Sequence, residues 1–143
     1  MVLHKVTLHK VGASDFVWVH PARDSPYTFA MFDVAIVTLM VSDIEKACVF
    51  YRDVLGMEVQ GDYSPHWVQL QGPGVIIGLH PGGTAGDKSD SISVGLMVGD
   101  FDGVLSQLQS RGVEFDRVTR DERASSAYFK DPDGYWLYIM HRV

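Results

Sequence analysis

Leu39-Met40-Val41-Ser42-Asp43 recurs 57 residues later as Leu96-Met97-Val98-Gly99-Asp100. The residues after each copy recur too. A helix-like stretch runs into Leu55-Gly56-Met57-Glu58-Val59 after the first copy and into Arg111-Gly112-Val113-Glu114-Phe115 after the second. A chain that repeats itself in this way is built from two copies of one small unit.

Working outward from each pentapeptide gives the elements. Val34 to Val41 is nearly all apolar and β-branched, so it reads as a buried strand. Asp43 comes next as a helix N-cap, because its carboxylate can accept an orphan backbone N–H. Ile44, Ala47, Cys48, Tyr51, Val54 and Leu55 then form one helical stripe, and Gly56 supplies the left-handed stop. Met57 to Tyr63, His66 to Gln71 and Val75 to His80 read as three short strands, separated by Ser64-Pro65 and Gly72-Pro73-Gly74. The second copy repeats the order. Ile92 to Val98 is its first strand, Asp100 its N-cap and Gly112 its helix stop. Phe101, Val104, Leu105 and Leu108 form its helix stripe. Val113 to Val118, Ala124 to Lys130 and Tyr135 to His141 are its remaining strands, with Asp131-Pro132-Asp133-Gly134 as a turn.

The expected fold class is therefore α+β: two βαβββ modules forming a curved eight-stranded mixed sheet, a cup, with the helices outside. The first module spans 33–81 and the second 92–143. Residues 82–91 are a polar, Gly-rich linker. Residues 1–32 precede the repeat and form an N-terminal arm or extra strand. The linker lacks the Gly-Lys-Ser/Thr ending of a phosphate loop and reads as a flexible connector.

Bulk properties exclude several classes of partner. Hydrophobic residues make up 46% and charged residues 21%, as in a globular domain. No apolar run approaches the ~20 residues of a membrane span. A net charge of −6 argues against nucleic acid or an anionic membrane surface, and weakly favours a cationic ligand. The lone Cys48 cannot form an internal disulfide, which fits a reducing, cytoplasmic setting.

Val41-Ser42-Asp43 with Phe50-Tyr51-Arg52-Asp53-Val54-Leu55-Gly56, and Phe129-Lys130-Asp131-Pro132-Asp133-Gly134-Tyr135, resemble the vicinal oxygen chelate superfamily. That superfamily includes glyoxalase I, extradiol dioxygenases, fosfomycin-resistance enzymes and bleomycin-resistance proteins. The resemblance covers about residues 33 to 143. It implies the cup fold without fixing a function, because the fold hosts isomerases, dioxygenases, transferases and drug binders.

The resemblance also says where a metal would lie. Metal-using members place His, Glu or Gln ligands on the first and last strand of each module, seven residues before the N-cap aspartate and four after the turn glycine. Those positions hold Ile36, Gly78, Ser93 and Tyr138 here. Ile and Gly offer no donor, while Ser and neutral Tyr are poor ligands. A two-residue slip would rescue only His80. No metal and no cofactor is expected. His4, His9 and His20 read as surface residues of the arm, and His66 as a partly exposed residue at a strand start.

Strand parity assigns the cup lining instead: Ile36, Thr38, Met40, Ser93, Gly95, Met97, Ile76, Gly78, His80, Trp136, Tyr138 and Met140, with Trp67, Gln69, Ser126 and Tyr128 from the middle strands. Trp67, His80, Ser93, Met97, Tyr128, Trp136 and Tyr138 are the ligand-binding candidates. Gly78 and Gly95 are expected to leave space in the middle. Such a lining suits a small aromatic or apolar molecule. No nucleophile has a paired base, so no catalytic residue is assigned. The expected function is small-molecule binding of the bleomycin-resistance type, in a homodimer. The alternative is a glyoxalase-like enzyme, either a metal-dependent lyase, isomerase or dioxygenase, or a metal-free acid–base catalyst using His80 or Tyr138.

Overall fold

A computed structural model describes residues 35–88 and 92–142; the arm at 1–32 lies outside them. The first module runs β1 (Ile36–Val41), α1 (Ile44–Val49) continuing into a π-helical turn (Phe50–Val54), β2 (Glu58–Tyr63), β3 (Trp67–Gly72) and β4 (Val75–Pro81). The second runs β5 (Ser93–Met97), α2 (Phe101–Ser110), β6 (Phe115–Arg120), β7 (Ala124–Lys130) and β8 (Trp136–Arg142). This is the expected α+β pair of βαβββ modules. The eight strands are hydrogen-bonded as two four-stranded sheets, ordered β1-β4-β3-β2 and β5-β8-β7-β6. In each sheet the first and last strands are parallel neighbours and the other pairs are antiparallel.

The local signals act as their chemistry requires. Asp43 accepts the Lys46 N–H at 2.9 Å, and Asp100 accepts the Gly103 N–H at 2.9 Å. Gly56 and Gly112 sit at φ 75° and 88°, where a Cβ would be strained. The sixth strand begins two residues later than the apolar pattern suggests. Val113 instead donates its N–H to Leu108 and is buried beside the helix. The start of the linker is fastened rather than loose: Gly83 donates to the Val41 carbonyl and Gly86 to that of Asp133, each at 3.1 Å.

One hydrophobic core runs through both modules. Leu39, Val41, Tyr51, Val68, Leu70, Ile77 and Leu79 meet Ala127, Phe129, Leu137 and Ile139 in it. Each large apolar side chain buried there contributes about 1.5–3 kcal/mol. The Phe50 ring reaches across to Phe129 at 6.5 Å. Polar bonds cross at the same place. Tyr51 Oη donates to Asp131 at 2.8 Å, Ser42 N–H donates to Asp133 at 2.7 Å, and Tyr135 Oη donates to the Met40 carbonyl at 3.0 Å. Asp131 and Asp133, turn residues by sequence, therefore also latch the two modules together. Cys48 lies in this core, and burial pushes its thiol up.

Candidate functional site

Strand alternation gives each sheet two unlike faces. Leu39 and Val41 point into the core. Ile36 and Met40 point away from it and stay exposed, Met40 by 42%. The second module repeats this: Val94 is buried, while Ser93 and Gly95 are exposed and Met97 is 60% exposed. The first-strand residues assigned to the lining by parity thus lie on the open faces, whereas Ile76, Gln69 and Ser126, assigned to the same lining, are buried. Cross-strand partners match as well: Thr38 with Gly78, Met40 with His80, Ser93 with Trp136, Gly95 with Tyr138 and Met97 with Met140.

The seven ligand candidates gather into two groups, one per sheet. Trp67 and His80 meet edge to face at 6.4 Å on the first. On the second, Tyr128 and Tyr138 lie 5.4 Å apart, with Ser93, Trp136 and Met97 on adjacent positions of the same face. Among the described residues, the ring contacts on the open faces stay within one sheet.

Gly78 and Gly95 do not leave holes. The Trp67 indole lies over Gly78, and the Tyr138 ring with its hydroxyl lies over Gly95, so that a Cβ at either glycine would overlap the ring. With no side chain to lift it, an aromatic ring from the neighbouring strand settles flat on the glycine backbone. Each sheet therefore has a fixed aromatic plate. Gly78→Ala is expected to tip the indole into water and shift tryptophan emission to the red, which Trp67→Phe in the same background would abolish. An unshifted spectrum would remove the glycine's role as a seat.

The four positions where metal-using relatives carry ligands remain Ile36, Gly78, Ser93 and Tyr138 in place. Ile36 and Gly78 have no donor atom, Gly78 also lies under the Trp67 indole, and Ser93 and neutral Tyr138 are poor ligands, so these residues do not fit a divalent cation. Among the described residues no cluster of three His, Cys, Asp or Glu is close enough to hold one. His80 is exposed, and its Nδ1 lies 2.7 Å from the Pro81 carbonyl. A carbonyl only accepts, so Nδ1 is the donor in this bond, and in the neutral ring Nε2 keeps the lone pair. His141 uses its Nδ1 on the Val98 carbonyl at 2.9 Å, which is a structural role.

Two cations on the second open face were missed from the sequence. The Arg117 guanidinium lies 4.4 Å from the Tyr128 ring centroid, and Lys130 Nζ lies 4.5 Å from that of Trp136. Lys130 was legible, since it stands two residues after Tyr128 on one strand. Arg117 was not. A β-bulge between Phe115 and Arg117 resets the alternation of β6, and bulges leave little trace in sequence.

A family model, Glyoxalase/Bleomycin resistance protein/Dioxygenase superfamily, matches residues 33–139. The chain belongs to this superfamily. Among solved structures it is similar to TnmS3, an antibiotic binding protein from Streptomyces sp. CB03234, with 28% identity and a TM-score of 0.63 over 80% of this chain and 98% of that one. It is also similar to a member of the superfamily from Sphaerobacter thermophilus DSM 20745, with 25% identity and a TM-score of 0.62 over 79% and 99%. Lactoylglutathione lyase from Agrobacterium tumefaciens shares the fold, with 17% identity and a TM-score of 0.62 over 76% and 92%. Among the described residues, no helix of this superfamily member is long and apolar enough to cross a membrane.

Proposed function

We propose that this chain binds a small, flat aromatic or apolar organic molecule on its open aromatic faces, without a metal and as a homodimer. The observation that carries the reading is the pair of aromatic plates, Trp67 over Gly78 and Tyr138 over Gly95, set where metal-using relatives carry ligands. Seated rings offer stacking area at low entropic cost, because the glycine beneath has already fixed them. The likeness to an antibiotic binding protein along 98% of that protein's length supports binding over turnover. Exposure supports the homodimer: Met40 and Met97 stand open in the single chain at 42% and 60%, and a second copy would cover them. The buried lone Cys48 fits a reducing, cytoplasmic setting.

Tryptophan quenching by a panel of polycyclic aromatic compounds tests this reading. Trp67→Ala or Tyr138→Ala is expected to weaken the best binder about tenfold each, near 1.4 kcal/mol. Extensive dialysis against a chelator is expected to leave its affinity unchanged. A chelator that abolishes binding, or a panel without a single binder, would sink the proposal.

A second reading is favoured by one observation, the free Nε2 of His80 beside Trp67. It is a metal-free acid–base catalyst with His80 as base. Turnover of a bound compound that disappears in His80→Ala but survives chelation would select it.

A further inference from the structure

The whole chain carries a net charge of −6, yet the open face of its second sheet is basic. By register and alternation that face takes Ser93, Gly95 and Met97 from β5, Arg117 and Thr119 from β6, Ser126, Tyr128 and Lys130 from β7, and Trp136 through Arg142 at alternate positions from β8. None of these strand positions holds Asp or Glu. The bulge residue beside Arg117 is Asp116, and Glu114 and Asp116 line one hollow with Lys130, so Arg117 is the cation that carries the argument.

Arg117 is held but not neutralised. Its guanidinium stacks on Tyr128 at 4.4 Å, and Tyr128 is backed in turn by Tyr138 at 5.4 Å. Among the described residues the ion pairs are Arg52 with Asp53 and Arg120 with Asp102, so Arg117 has no carboxylate partner. A guanidinium stacked on a ring has its plane fixed and its N–H edge free, and that edge matches a carboxylate with two parallel hydrogen bonds. Lys130 over Trp136 adds a second positive charge two strand positions from Tyr128. A cationic ligand entering here would meet both.

Resting on the binding reading above, we propose that the second sheet's open face selects an aromatic ligand bearing a carboxylate or comparable oxyanion, with Arg117 as the specificity-determining contact. The rings hold the ligand's plane, and Arg117 pairs with its negative group. Local charge, not the net charge of the chain, sets the preference, because solvent and salt screen the distant acidic residues.

Three naphthalene probes of one shape test this by equilibrium dialysis at low salt: 2-naphthoate, the neutral 2-naphthamide and the cationic 2-naphthylmethylammonium. Naphthoate is expected to bind at least about tenfold tighter than the amide, and the ammonium more weakly than both. In Arg117→Gln the naphthoate advantage is expected to fall to within about twofold while amide affinity holds, and Arg117→Lys is expected to fall between. Arg117 is exposed on an edge strand, and unchanged melting of both variants would confirm that they fold. An amide that binds as tightly as naphthoate, or an advantage that survives Arg117→Gln, would overturn the proposal and leave the binding reading standing. Failure of all three probes would overturn both.

Discussion

Replacing Gly134 with alanine is expected to destabilise the protein by about 3–4 kcal/mol, a large effect for a single methyl group. Gly134 closes the Asp131-Pro132-Asp133-Gly134 turn at φ 93°, in a region that side chains rarely enter. Its N–H donates to the Asp131 carbonyl at 3.1 Å. A Cβ there would also run into the carbonyl oxygen of Gly86, whose N–H is bonded to Asp133. Both sides of the clash are backbone held by hydrogen bonds, so neither can step aside cheaply. Gly74 makes the control. It has a similar φ of 70° with nothing within 4 Å of its added Cβ, so Gly74→Ala should cost only about 1 kcal/mol. Denaturant unfolding of the two variants measures the difference. Equal losses would mean that the approach to Gly86 contributes nothing.

Asp131→Ala is expected to cost about 3 kcal/mol and lower the melting temperature by about 10 °C. The carboxylate is 5% exposed and accepts three hydrogen bonds, from Tyr51 Oη at 2.8 Å, Asp133 N at 2.9 Å and Tyr135 N at 2.8 Å. Burial pushes the Asp131 carboxyl up, and the donated bonds pull against that rise. Burial, then the adjacent Asp131, also pushes the Tyr51 hydroxyl far up, so it stays a donor. Deleting the carboxylate strands all three donors inside the protein, and stranded donors cost more than the bonds were worth. Tyr51→Phe removes one donor and should cost about 1–2 kcal/mol. The double variant should lose less than the sum, because both changes remove the same bond. Additive losses would show that Tyr51 and Asp131 do not act as a pair.

Much of this is legible in the chain. Asp43, Asp100, Gly56 and Gly112 announce their roles because a cap or a left-handed stop depends on residues within one helical turn. The open face of β1 and β5 is legible because parity has a fixed period of two. The roles of Asp131 and Asp133 are half legible. The turn is local, but their bonds to Tyr51 and Ser42 span 80 and 91 residues. The glycines of the site suggest space in the sequence and hold rings in the fold, because no local rule says which neighbour's ring will lie on a bare backbone.

By itself, then, the repeat of Leu-Met-Val-x-Asp determined two βαβββ modules and which face of β1 and β5 is open, and the superfamily resemblance placed the metal positions on residues lacking good donors. The modules and the open faces come from periodicity and short-range spacing, which a linear string records. The tertiary structure alone decided that the strands form two sheets, that Trp67 and Tyr138 become seated plates, and that Arg117 reaches the aromatic face. Each of these depends on which strand lies beside which, and in β6 on a bulge that shifts the alternation by one residue. That shift turns Arg117 onto the open face, where it gives an acidic protein a basic site.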